Sequence, residues 1–396
     1  MINQKMYGLG SKRSSIREIF EYAKTRAAEI GKENVFDFSI GNPSVPAPEA
    51  VNETIVKLVQ ETPSVALHGY TSAQGDKCVR DTIAANYTKR FGVAISGDDL
   101  YMTCGAAASL TITLNALYEK DDEVIVFAPY FAEYRVFVEG AGAKLVVVQS
   151  DEKTMFPDFK ALEKAINPHT KAVLINSPNN PSGVVYGEKT MQQLCEILKA
   201  KSAEYGKPVF LISDEPYREL VYDKKTVVPC PMAYYENTIV CYSYSKSLSL
   251  PGERVGYIAV NPQMQNAKSV YAAVCGAGRA LGFVCAPALF QRVAAACDGM
   301  TADLDVYKRN RDLLYNALTE YGFTCIYPDG AFYLFVKAAE ADAKAFCARA
   351  KKYELLFVAG DDFGYEGWVR IAYCVQTEQI QRALPLFKKL AEEYEL

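Results

Sequence analysis

Six short apolar runs, spaced through the middle of the chain, constrain its fold more than any other feature. They are Glu123–Ala128, Lys144–Gln149, Lys171–Asn176, Pro208–Ser213, Thr238–Ser243 and Val255–Val260. They are rich in Val and Ile, and most do not alternate with polar residues. A strand buried on both faces reads this way. Between several of them lie segments with helical periodicity, at Phe131–Gly140, Phe159–Ile166 and Lys189–Tyr205. This alternation predicts an α/β fold, with a large domain built on a mainly parallel sheet covered by helices.

The two ends read differently. An amphipathic helix is expected over Ser14–Ile30, with a serine cap at its start and Gly31 after it. Long helical patterns run through Tyr271–Cys297 and Met300–Tyr321. Short strands follow at Phe332–Val336, Leu355–Val358 and Trp368–Ala372, alternating with helices at Asp342–Lys352 and Thr377–Tyr394. A smaller α+β domain drawn from both chain ends follows. The expected division is an N-terminal segment 1–48 packed on the small domain, a large domain 49–285 and a small C-terminal domain 286–396.

Composition narrows the function. The 396 residues carry 43 Lys and Arg against 47 Asp and Glu, a net charge of −4, without the basic stripe of a nucleic-acid binder. No uninterrupted apolar stretch approaches the ~18–20 residues of a membrane span. Met1–Ser15 is polar and lacks the apolar run of a signal peptide, so a cytoplasmic protein is expected. The 11 cysteines are scattered without a CxxC, and there are only two histidines, His68 and His169. Buried reduced thiols are expected rather than a metal site.

Four clusters follow predicted strands. In Ser243-Tyr-Ser-Lys246, Lys246 stands among hydroxyls just past a buried strand. Desolvation there would lower its pKa and make it a nucleophile toward carbonyls. Ser243, Ser245 and Arg254 could serve a phosphate. In Asp214-Glu-Pro-Tyr217, the acid ends a strand, where ligands of open α/β sheets bind. It could pair with a protonated ring nitrogen, and Tyr217 could donate to a phenolic oxygen of the same ring. Asn180, in Asn176-Ser-Pro-Asn-Asn-Pro-Ser-Gly183, could address that oxygen too. Gly105, Ala106 and Ala107 open a strand-to-helix turn whose backbone N–H groups suit an anion. Taken singly, each has an ordinary alternative: a surface loop, a cap, a plain turn or the start of a buried helix. Together they supply an imine-forming lysine, an acid for a ring nitrogen, donors for a phenolic oxygen and a phosphate cradle.

With these motifs in order, the sequence resembles the class I/II aminotransferases of the aspartate aminotransferase superfamily, fold type I, from about Ser39 to Ala372. SPNNPSG is similar to that family's N-P-x-G motif and DEPY to its D-x-x-Y. SYSKSLSLPGERVGY is similar to its S-x-x-K with a following arginine, and WVRIAY to its substrate-carboxylate segment. The resemblance implies pyridoxal 5′-phosphate held as a Schiff base on Lys246, which also shuttles the proton. It implies Asp214 on the pyridine nitrogen, Asn180 and Tyr217 on the phenolic oxygen, and Phe131 stacked on the ring. Ser243, Ser245, Arg254 and the backbone of Ala106 and Ala107 would hold the phosphate. Arg370 and the backbone of Gly41 would take the substrate α-carboxylate, and Tyr70 would reach the phosphate of a partner subunit in a homodimer.

Arg279 lies 33 residues after Lys246 (279 − 246), close to where animal-type aspartate aminotransferases place an arginine for a second carboxylate. A helix-surface arginine is its ordinary alternative. Alanines in the phosphate turn and a phenylalanine in place of a stacking tryptophan depart from many relatives. The implied reaction is ping-pong transamination between an L-amino acid and a 2-oxo acid, aspartate aminotransferase-like. The alternatives are a fold type I lyase of the C–S lyase or aminocyclopropane-carboxylate synthase kind, and a binding protein that retains the fold without its chemistry.

Overall fold

The structure, a computed structural model, describes residues 2–11 and 15–396. Seven strands form the central sheet, in the order Leu100–Thr103, Gly256–Val260, Thr238–Ser243, Phe210–Asp214, Thr170–Asn176, Glu123–Ala128, Lys144–Gln149. All run parallel except Gly256–Val260, which is antiparallel to both neighbours. The expected mainly parallel sheet is therefore present.

Its strands show why their sequences do not alternate. In Thr238–Ser243 all six residues are buried. Ile239 and Cys241 enter one hydrophobic cluster, and Val240 and Tyr242 enter another on the opposite side of the sheet. A strand has a side-chain period of two, so covering both faces demands apolar residues throughout. Helices supply the cover. Ala106–Leu117 buries Leu110, Ile112 and Leu114 in the first cluster, while Lys77–Phe91 and Ala288–Ala296 bury Val79, Ile83 and Val293 in the second.

The helical pattern expected over Tyr271–Cys297 is two helices, Ala267–Ala280 and Ala288–Ala296. Gly282 takes a φ of 78° and Pro287 stands just before the second helix, so the chain turns between them. The strand expected over Leu355–Val358 also divides. Leu355–Leu356 pairs in parallel with Phe36–Asp37, and Val358–Ala359 joins a four-stranded antiparallel sheet with Trp368–Ala372, Tyr333–Lys337 and Cys325–Ile326. The N-terminal strand is thus stitched to the C-terminal third, and Ala372 N donates to Phe38 O at 2.8 Å. A third cluster, around Phe38, Phe332, Leu355 and Phe387, fills this smaller α+β unit.

The N-terminal amphipathic helix is Ser15–Ile30, followed by Gly31 with a φ of 90°. The first residue of the expected helix, Ser14, lies outside the described residues. Among the described residues no helix is long and apolar enough to cross a membrane. Of the thiols expected to be buried, Cys195, Cys230, Cys241, Cys297 and Cys374 are, whereas Cys104, Cys275, Cys285, Cys325 and Cys347 are partly exposed and Cys78 is exposed. His68 and His169 are both exposed.

Candidate active site

Because six strands run the same way, Thr103, Ala128, Asn176, Asp214 and Ser243 end at one edge of the sheet. A cavity of about 330 Å³ opens there. Its walls include Lys246, Asp214, Tyr217, Asn180, Phe131 and Arg370. Ala106, Ala107, Ser243, Ser245, Arg254 and Gly41 line it as well.

Asp214 closes its strand and is buried. Its Oδ2 accepts a 2.6 Å hydrogen bond from the Tyr134 hydroxyl, while Oδ1 has no hydrogen-bond partner among the described residues. Burial pushes the carboxyl up to about 7, against the lowering effect of the Tyr134 bond and with a small further push from Glu215. A buried carboxylate oxygen left single costs free energy unless a ligand completes it.

On the neighbouring strand, Asn176 Nδ2 donates to Asp214 O at 2.9 Å, and Asn176 Oδ1 accepts from Asn180 N at 2.7 Å. This pair joins the SPNNPSG turn to the acid's strand. Asn180 Oδ1 in turn accepts from Arg370 Nη1 at 3.0 Å, and Arg370 Nη2 donates to Ser39 O at 2.5 Å. The guanidinium is buried and lies 4.6 Å from the Tyr333 ring centroid and 4.8 Å from that of Phe363. Its Nε has no hydrogen-bond partner among the described residues.

Lys246 sits in the short helix Tyr244–Ser247, which Ser243 caps by accepting from Ser245 N. The ammonium donates to Gly41 O at 2.6 Å. Burial lowers its pKa to about 8; Cys374 opposes the shift, and Arg254 and Arg370 add to it. Ser243 and Ser245 hydroxyls stand 2.7 Å apart, and Arg254 Nη1 donates to Ser245 Oγ at 3.3 Å. Arg254 adopts a left-handed φ of 50°. Gly105, with φ 84°, precedes the helix Ala106–Leu117, whose N-terminus no side chain caps. A Cβ on Gly105 would collide with the Arg254 guanidinium, so glycine is what lets that cation approach the turn.

This donor set fits pyridoxal phosphate. One end offers open helix N–H groups, two hydroxyls and a guanidinium, as a phosphate requires. The other offers a buried, singly bonded carboxylate, as a pyridinium requires. A lysine amine of lowered pKa lies between.

Two expected residues lie elsewhere. Tyr70 is 99% exposed, and Arg279 is exposed on the helix Ala267–Ala280; neither lines this cavity. Three residues that sequence reasoning passed over belong to the site. Tyr134 supports Asp214 and meets the Phe131 ring edge-on, with centroids 5.6 Å apart. Tyr333 and Ile16 line the cavity. Tyr134 sits in an amphipathic helix and Tyr333 in a buried strand, where a tyrosine reads as core.

A mainly parallel sheet that gathers these groups at its carboxyl edge is the setting in which the family finding falls. The chain belongs to the aminotransferase class I and II family, which matches residues 33–386. It is 29% identical to a probable aspartate aminotransferase of Methanocaldococcus jannaschii, over 96% of this chain and 98% of that one. It is also 29% identical to aromatic-amino-acid aminotransferase 2 of Thermococcus litoralis, over 97% of each. The crystal structure of an aminotransferase from Eubacterium rectale superposes with a TM-score of 0.98 at 57% identity, covering 100% of both chains.

Proposed function

We propose that this aminotransferase binds pyridoxal 5′-phosphate in the cavity and transfers the amino group of an L-amino acid to a 2-oxo acid by a ping-pong route. The observation that carries this reading is the pairing, across one cavity, of Lys246 at a pKa of about 8 with the unpartnered Oδ1 of buried Asp214. When bound, the cofactor supplies an electron sink for the bonds at the substrate α-carbon.

Lys246 holds the cofactor covalently. Its free amine would carry away the proton that leaves the substrate α-carbon, a role that a pKa near working pH favours. Asp214 keeps the ring nitrogen protonated. Tyr217 and the Asn180 amide nitrogen donate to the phenolic oxygen, and Phe131 covers a ring face. Ser243, Ser245, Arg254 and the N–H groups of Ala106 and Ala107 hold the phosphate, with Gly105 setting the turn. Arg370, already oriented by Asn180 and Ser39, presents its guanidinium to the α-carboxylate beside Gly41.

For the second substrate group we favour an aspartate aminotransferase-like pocket in a homodimer. Exposed Arg279 would serve the partner's cavity, as would Tyr70. Support comes from relatives whose names divide between aspartate and aromatic amino acids. Free thiols at all eleven cysteines fit a reducing cytoplasm.

The test is borohydride reduction of the yellow enzyme and peptide mapping, with a donor panel in the presence and absence of 2-oxoglutarate. The label should fall on Lys246, and Lys246→Ala should lose turnover by about 10²–10⁴-fold. Arg279→Ala should lose activity with aspartate while activity with alanine is retained. A label on another lysine, or pyruvate and ammonia released without any oxo acid, would overturn the reading; the second outcome would favour a lyase.

A further inference from the structure

Tyr217 and Tyr333 are both buried, with hydroxyl oxygens 2.9 Å apart and rings edge to face at 5.7 Å between centroids. A phenol has one proton to give. If Tyr217 spends its proton on Tyr333, it has none for the cavity. If Tyr217 donates into the cavity, its oxygen can still accept, and Tyr333 is placed to be the donor.

Tyr333 is held for that task from three sides. Arg370 lies over its ring at 4.6 Å, Phe332 meets it edge-on at 5.0 Å, and its hydroxyl abuts Gly41 so closely that any Cβ there would collide with it. Gly41 is also the residue whose carbonyl receives Lys246. The Arg370 charge draws electron density from the ring and makes the Tyr333 hydroxyl a better donor.

We infer that Tyr333 is a positioning residue that turns the Tyr217 hydroxyl proton into the cavity, toward the cofactor's phenolic oxygen, and links that donor to the carboxylate-binding Arg370. This rests on the proposed cofactor chemistry. Its consequence is electronic. A Tyr217 that accepts from Tyr333 is a stronger donor, because chained hydrogen bonds polarise one another. Stronger donation to the phenolic oxygen lowers the basicity of the conjugated C=N nitrogen at Lys246.

The experiment is a pH titration of the visible absorbance of the lysine-bound cofactor in the holoenzyme, for wild type, Tyr333→Phe, Tyr217→Phe and the double variant. Tyr333→Phe keeps the ring beneath Arg370 and removes only the hydroxyl. Its midpoint should rise by about 0.5 pH unit, less than in Tyr217→Phe. The double variant should titrate like Tyr217→Phe alone, because Tyr333 acts through Tyr217. A Tyr333→Phe midpoint equal to wild type would overturn the inference, as would a double variant shifted by the sum of the two single effects. A wild-type enzyme with no titrating lysine-bound absorbance would instead sink the cofactor reading itself, and the inference with it.

Discussion

At the scale of single residues, Asp214 puts the chemistry and the stability of the fold in conflict. Its carboxyl is pushed up to about 7 by burial, whereas an aspartate in the unfolded chain titrates near 3.8. Between those values the folded state binds a proton that the unfolded chain does not. Stability is therefore fully present at low pH and is lost as pH rises through this window. Above pH 7 the cofactor-free protein carries a destabilisation on the order of 4 kcal/mol. A pyridinium on Oδ1 would relieve it. Asp214→Asn should remove the pH dependence but also the electronic support for the ring, so its turnover should fall more than its cofactor affinity. The check is the melting temperature of cofactor-free wild type and variant at pH 5 and pH 8. Wild type should lose several degrees relative to the variant at the higher pH. Parallel melting curves would show that Asp214 is not the group responsible.

At the scale of elements, the site is built where strands end and helices begin, and that is also where the sequence was most legible. Lys246, Asp214, Asn180 and Arg254 stood out only together, because each alone has an ordinary structural use whereas the set, all at strand exits, supplies one consistent chemistry. Tyr134 and Tyr333 did not stand out, because a tyrosine inside a periodic apolar pattern is indistinguishable from core until its hydroxyl partner is known. The break between Ala267–Ala280 and Ala288–Ala296 was hidden for a related reason. Small apolar residues on both sides preserve the helical rhythm across Gly282 and Pro287. The phosphate turn offers a test at this scale. Gly105→Ala must place a Cβ both at φ 84° and against Arg254. Gly92 has a comparable φ of 70° but open space where its Cβ would go. Both alanine variants should lose stability of about 1 kcal/mol from backbone strain. Only Gly105→Ala should weaken binding of pyridoxal phosphate, by roughly tenfold for an added ~1.4 kcal/mol, as read by fluorescence titration. Equal weakening in both variants would count against a phosphate at this turn.

At the scale of the whole molecule, the exposed residues pose the remaining question. Tyr70 is 99% exposed on its own chain, yet the loop that bears it is firmly held. Gln291, fully buried, accepts from Asp76 N at 2.9 Å and donates to Thr71 Oγ1 at 3.4 Å. Cys285 donates to Thr71 O at 3.2 Å. Holding a loop in place while an aromatic side chain stays in water gains nothing within one chain. Val56, Val59, Val65 and Val284 are exposed as well, apolar surface that a partner subunit could bury. A two-fold homodimer in which each Tyr70 enters the other subunit's cavity accounts for both facts. Subunit mixing tests it. In such a dimer Lys246→Ala would abolish the site that contains the altered lysine, and Tyr70→Ala would weaken the site across the interface. In a hybrid of the two variants, the unaltered lysine of one subunit meets the unaltered tyrosine of the other, so one site is intact and the other has lost both. Random reassociation of equal amounts makes half of the dimers hybrids, and roughly a quarter of all sites should regain wild-type turnover. If Tyr70 acted within its own chain, every hybrid site would retain one defect. Mixing would then give no more activity than the average of the two parents.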